Sequence, residues 1–532
     1  MNSRGERLAA AAFLLLAGAS LCLAFRHEWN ERWIHGWLGR NGARYSVTAR
    51  NLVRHPFRVT GGLPCQAIGE LDESGAAPYV RHPPLLTWLV AGSFLAFGES
   101  ENAARAVPAS CALLLALALV ALAARRGSVV AGAVAAATFS LLPMTRFYGT
   151  HVDVQGAPVA AAIALAVLGF ARFVENGARA ARIGGFIALS LGMWCDWPAW
   201  IAAALLVAVL WRRGARGTAG VLVVVVALHA ALLAALVLQV PQSLLALGRA
   251  ALEQRSLNLD ALARGDRSAL LEGLMRLDAL LPWWSCAVPL AIWIAARPRA
   301  GDAPVPETAP RGGPTAAAPF PAGPLLFAVG ALHVALFPIG ALVHDYWAHL
   351  LAAPVALLAA SAFERLDGRL EERGPTGSVV LRAALLALAV GWLLAGESSL
   401  RRRFERETEV GDLWLADLVR AATPPGARIL TNANHDPFRG SGQTSPVFRY
   451  YLDRKVCGAT CDVATLEAAI EAFRPTHFLL LAPPLAPAAP ELIDRLRDSS
   501  RAVALADGGK VSLHELPTVP SRPVIPPALR TR

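Results

Sequence analysis

The chain has 532 residues, of which 55% are hydrophobic and only 17% charged, and its mean hydropathy is +0.44. That profile excludes an ordinary soluble enzyme and describes an integral membrane protein. The formal net charge of +11 does not make it a nucleic-acid binder, because the arginines lie at the ends of apolar segments and no basic face interleaved with aromatics occurs.

Crossing roughly 30 Å of hydrocarbon takes about 20 apolar residues. The first such stretch, 8–25, follows Arg4 and Arg7; it reads as an uncleaved anchor, with the N-terminus inside by the charge rule. Residues 26–102 then form a large outer loop with two structured stretches, "NGARYSVTARNLV" and "PPLLTWLVAGSFLAFG", the latter short for a full crossing. Spans at 103–124 and 128–143 go in to Arg125 and Arg126 and return, placing "PMTRFYGTHVDVQG" outside. The chain re-enters at 156–173, exits at 183–195 to deliver Asp196, enters at 197–211 and exits at 220–240. An outer loop over 242–278 precedes an inward span at 282–296 and a Pro/Gly-rich stretch, 297–322, too poor in apolar residues to fold and read as a flexible cytoplasmic linker. Spans at 324–343, 355–363 and 379–395 follow, the first presenting "HDYWAH" outside, for about eleven crossings in all. "LRRRFER" then falls outside, against the charge rule.

After Glu397 the texture changes: "ARILTN", "THFLLL" and "AVALAD" read as buried strands, "VATLEAAIEAF" and "ELIDRLRDS" as amphipathic helices. The predicted architecture is mainly α, a polytopic membrane helical bundle over 1–396, with a small α/β domain over 397–532 on the outer side. That domain has no Gly-rich phosphate motif, so no nucleotide cofactor is expected. None of the seven cysteines forms a metal pattern; Cys457 and Cys461, in "CGATC", are the pair close enough to bridge.

Ionisable residues at span ends collect on one side in this threading. His82, His151, Asp153, Asp196, His344 and Asp345 all reach the outer boundary, and such groups are costly unless they pair or line a hydrated cavity. Singly each is an interfacial residue; together, from separate loops, they mark a candidate site. Pro83 and Pro84 fix His82 and Arg81 at a rigid corner before a helix. Asp196 reads equally as a helix cap and as a pocket residue. His229 and His333, inside spans, read as helix contacts.

These residues carry a resemblance. "RHPPLLTWLVAGSFLAFGESENAARAVPA", preceded by "NGARYSVTARNLV" and followed by "FYGTHVDVQG", "DWPAW" and "HDYWAH", resembles the polyprenyl-phosphate-sugar-dependent glycosyltransferases of the GT-C fold, among them bacterial relatives of the protein O-mannosyltransferases and the aminoarabinose lipid A transferases. The resemblance implies an inner-membrane enzyme with its site on the periplasmic face. It would move a sugar from a polyprenyl-phosphate donor to an envelope acceptor, whether lipid, protein or glycan. The donor phosphate would need cations, for which Arg44, Arg81, His82, Arg146 and His151 are candidates, with Tyr45, Asp196, His344, Asp345 and Tyr346 as further binding residues. A divalent cation is compatible with His344 and Asp345, but no spacing compels a metal. The base that the family carries in its first outer loop falls here at Asn41, which cannot act as one. Another carboxylate takes over, the constellation is shifted, or activity is weakened or lost. Asp153 is the substitute candidate, with Glu70, Asp72 and Glu73 as runners-up. The rival readings are a transporter and a non-catalytic polyprenyl-lipid-binding homologue.

Overall fold

The computed structural model describes residues 3–66, 82–125, 128–238, 275, 278, 281–295, 319–337, 344–406, 410–431, 445–458, 470, 474–481, 498, 500–506 and 511–516. In chain order the helices are α1 (Ser3–Glu28), α2 (Gly36–Arg54), α3 (Phe57–Thr60), α4 (Leu85–Phe97), α5 (Glu101–Ala124), α6 (Val129–Leu141), α7 (Pro143–Tyr148), α8 (Ala157–Asn176), α9 (Arg179–Cys195), α10 (Pro198–Arg212) and α11 (Arg216–Leu238). They continue with α12 (Trp284–Ala295), α13 (Ala322–Leu336), a 3-10 helix (Asp345–Leu351), α14 (Ala352–Glu372), α15 (Pro375–Arg406), α16 (Val410–Ala422) and α17 (Pro446–Leu452). The strands are β1 (Arg428–Thr431), β2 (Lys455–Gly458), β3 (His477–Leu481), β4 (Arg501–Ala506) and β5 (Val511–Glu515). The chain divides into two units, Met1–Glu31 with Val80–Arg406, and Arg32–Tyr79 with Glu407–Arg532.

The first unit is a helical bundle. Among the described residues each apolar stretch read as a crossing overlaps one of its helices, and six helices of 20–27 residues are long and apolar enough to cross a membrane. Shorter apolar helices include Leu85–Phe97, Val129–Leu141, Pro198–Arg212, Trp284–Ala295 and Ala322–Leu336. Together they make the chain a multi-pass membrane protein. Lipid offers no hydrophobic force to bring helices together, so contact depends on small residues and polar links. At Gly169 on α8 an added Cβ would lie 2.5 Å from the Ala181 carbonyl oxygen and 2.7 Å from the Gly185 backbone, so α8 and α9 meet backbone to backbone. Ser20 on α1 donates to the Ser140 carbonyl at 2.7 Å, fastening α1 to α6. Asp367 on α14 is buried between Ser378 and Arg382 of α15, at 2.6 Å from each. Serine caps begin α5 and α6, where Ser100 and Ser128 accept from the backbone N–H of Ala103 and Ala131. Elsewhere apolar side chains face outward, among them Val221, Val224 and Leu228 on α11 and Val379, Leu388 and Leu394 on α15, as lipid demands.

α15 runs unbroken from Pro375 to Arg406, so both the change of texture at Glu397 and the arginines of "LRRRFER" lie within one helix.

The second unit is α/β. Its sheet has the order β2-β1-β3-β5-β4, parallel from β2 to β3 and antiparallel around β5. The three strands read from the sequence are β1, β3 and β4; β2 and β5 went unread, because "KVCG" and "VSLHE" are short and carry charge or hydroxyls. The two predicted amphipathic helices, like the 297–322 linker and Cys461, lie almost wholly outside the described residues. α2 belongs to this unit and packs on α17. Trp33 donates its backbone N–H to the Tyr451 hydroxyl at 2.6 Å, and a Cβ at Gly42 would sit 2.2 Å from the Trp33 ring, so only glycine lets the indole lie flat on α2. Arg50 donates to the Tyr450 carbonyl and to Asp453, and its guanidinium covers the Tyr450 ring at 4.5 Å.

Candidate active site

The first unit gathers polar side chains where several helices end. Pro143 stops α6 and starts α7, and the chain then turns tightly: the backbone N–H of His151 donates to the Tyr148 carbonyl, and that of Asp153 to the His151 carbonyl. Asp153 Oδ1 accepts the Gln155 backbone N–H at 3.0 Å, an aspartate turn that feeds α8. His151 is 1% and Asp153 7% exposed. This single turn brings the histidine and the aspartate of "GTHVDVQG" into the bundle instead of leaving them in solvent.

Four further chain segments lie nearby. His151 packs edge-on against Tyr346, ring centroids 4.6 Å apart, and Tyr346 contacts Tyr148 at 5.7 Å and His344 at 5.4 Å. His344 lies nearly parallel to Trp347 at 5.6 Å, and Trp347 in turn meets His333 of α13 at 5.1 Å. Asp196, between α9 and α10, is 0% exposed and places Oδ1 2.8 Å from His82 Nδ1. Its carboxylate also feels the charge of His333, and the Cys195 thiol beside it is within electrostatic reach of both Asp196 and Asp153. Burial works against ionisation of Asp196, but the charge and hydrogen bond of His82, the charge of His333 and the Trp197 backbone N–H together hold the carboxyl below its usual value.

Of the residues read as convergent, His151, Tyr346 and His344 are in ring contact, His82 bonds Asp196, and Asp153 and Asp196 are both within electrostatic reach of Cys195. The Asp196 carboxylate pairs with His82 and also takes the Trp197 backbone N–H where α10 begins, so it does both things that the sequence left open. His333 and His229 make helix contacts, His229 with Trp194 at 6.4 Å. Arg146, taken as a phosphate donor, is ion-paired: Nη2 lies 2.6 Å from Glu397 Oε2, and His27 Nε2 bonds the other oxygen of the same carboxylate. Asn41, Arg44 and Tyr45 all lie on α2, in the other unit, with Asn41 buried. Arg81, Glu70, Asp72 and Glu73 and the side chain of Asp345 lie outside the described residues.

Sequence reasoning missed a clamp on this segment. Consecutive residues at the end of α1 grip two positions of it: His27 shares Glu397 with Arg146, while Glu28 accepts from Thr150 and lies 3.7 Å from Arg105. The signal was present. "RHEW" and "AGESS" put ionisable residues at span ends, the criterion that selected the other site residues.

Residues 81–244 match the profile of the dolichyl-phosphate-mannose-protein mannosyltransferase family. A crystal structure of ArnT from Cupriavidus metallidurans bound to undecaprenyl phosphate superposes with a TM-score of 0.59 at 14% identity, covering 97% of this chain and 98% of that one. The apo structure of the same ArnT gives 0.57 at 15% identity, with 96% and 97% covered. No curated protein matches the chain in sequence. At such identities the likeness is one of fold, and it extends over nearly the whole length of both chains.

Proposed function

Taking a multi-pass protein of the GT-C fold, with a mannosyltransferase-family segment over 81–244, as the premise, we propose that the chain is a membrane glycosyltransferase using a polyprenyl-phosphate-linked sugar. The acceptor is a hydroxyl or amine of an envelope lipid, protein or glycan, reached on the periplasmic face of the inner membrane. The observation that carries the reading is the meeting of His82, His151, Asp153, Asp196 and Tyr346, from separate chain segments, inside a bundle otherwise sheathed in apolar side chains.

The reaction assigned to this group is one displacement. The acceptor oxygen or nitrogen attacks the anomeric carbon, a carboxylate takes its proton, and the bond from that carbon to the phosphate oxygen breaks, releasing polyprenyl phosphate. Asp153 is the base in this reading. Its backbone is held by the turn into α8, and general-base catalysis of this kind contributes about 10²- to 10⁴-fold. The departing phosphate gathers negative charge and needs positive partners in a water-poor site; His82 and His151 supply imidazoles there. Asn41 supplies no base, since an amide takes no proton at neutral pH.

Purified protein given labelled polyprenyl-phosphate sugars and envelope extract is expected to transfer label, and Asp153→Asn to lose about 10²-fold or more of that rate. Undiminished transfer in Asp153→Asn removes Asp153 from the role of base. Binding of polyprenyl phosphate without transfer from any donor supports the non-catalytic reading that Asn41 favours.

A further inference from the structure

We propose that Asp196 is a positioning residue acting through His82: it accepts the Nδ1 proton and orients the ring so that the opposite edge, as Nε2–H of the doubly protonated imidazole, donates to the phosphate of the lipid-linked donor. The inference rests on the glycosyltransferase reading above and gives Asp196 a role other than touching substrate.

Geometry leads to it. The Asp196 side chain is wholly buried at the α9–α10 junction, while that of His82 keeps 10% of its surface. A carboxylate so enclosed reaches no sugar or acceptor, yet it lies 2.8 Å from Nδ1. The Trp197 backbone N–H also reaches this carboxylate, while Oδ2 accepts no hydrogen bond among the described residues. A lone buried carboxylate oxygen is costly, and an apolar side chain there would be cheaper, so the charge is kept for what it does to its partner. The charged and titratable groups facing it are His82, His333 and the Cys195 thiol, which is itself within electrostatic reach of Asp153. Pro83 and Pro84 fix the backbone immediately after His82, which leaves the ring torsions as its main freedom. A hydrogen bond from Nδ1–H to the carboxylate removes that freedom and keeps Nδ1 a donor, since an ionised carboxylate can only accept.

Asp196→Ala and His82→Gln are compared singly and together in the full-length protein, reading kcat and KM for transfer and the ¹⁵N resonances of His82, assigned by their loss in His82→Gln. In wild type the His82 Nδ1 resonance is expected to be that of a protonated, hydrogen-bonded nitrogen, and Asp196→Ala to shift it. The same change is expected to lower kcat/KM about tenfold or more in wild type, but by less than about twofold in the His82→Gln background. Additive losses, or unchanged His82 resonances, overturn the proposal. If Asp196→Ala fails to fold, Asp196→Ser, also too short to reach the ring, takes its place. No transfer by wild type from any donor refutes the glycosyltransferase reading, while the resonances still decide whether Asp196 sets the His82 proton.

Discussion

Arg146 Nη2 lies 2.6 Å from Glu397 Oε2, tying the turn that carries His151 and Asp153 to α15. Arg146 is almost wholly buried and Glu397 27% exposed, so removing the carboxylate leaves a guanidinium with little water to replace it. Glu397→Ala is expected to lower stability by about 1–3 kcal/mol, below the full cost of breaking a buried pair because Glu397 is partly hydrated. Thermal unfolding in detergent measures it. Arg146→Met together with Glu397→Ala should recover part of the loss; if the double variant is no better than Glu397→Ala, the pair is not the source.

Gly169→Ala tests the closest helix contact. The new methyl would meet the Ala181 carbonyl oxygen at 2.5 Å, which only separation of α8 and α9 relieves, at about 1–3 kcal/mol. Gly184→Ala, which meets nothing within 4 Å, is the control and should leave the unfolding temperature unchanged or slightly raised. Equal effects of the two would contradict the packing described.

His477 begins β3 and is buried, and burial pushes its imidazole below the usual 6.5, with Glu515 pulling the other way. A histidine whose folded value is depressed contributes stability that is fully present above the unfolded value and is lost as pH falls through the folded one. Protease resistance of the C-terminal unit should therefore decline between pH 7 and 5. His477→Gln should flatten that decline, and an unchanged slope would assign it to other groups.

Much of this was legible in the sequence, for a physical reason. A span must be apolar over its whole length, so the helices of the bundle stand out, and an ionisable residue at a span end stands out against them. That contrast selected His82, His151, Asp153, Asp196 and His344 before any coordinates. Partnership was not legible. Asp196 and His82 are 114 residues apart, and no local pattern distinguishes a carboxylate that holds a histidine from one that caps α10. Arg146 looked like a free cation because its counter-ion arrives from 251 residues away. The membership of α2 in the same unit as the C-terminal sheet was hidden too, since it depends on Trp33, Arg50 and Arg32 meeting Tyr451, Tyr450 and Asp417 across some 400 residues of chain. β5 was missed because it is only five residues long and both its faces are buried, with Ser512 and His514 alternating against Val511 and Leu513 and bonding each other within the unit.

The central claim is that the polar group of the first unit receives a polyprenyl phosphate. Photolabelling with a polyprenyl-phosphate analogue bearing a diazirine near the phosphate, followed by peptide mapping, tests it most directly. Label competed by unlabelled polyprenyl phosphate and mapping to 143–156, 82–88 or 344–351 is the predicted result. Competed label that avoids all three segments would contradict it.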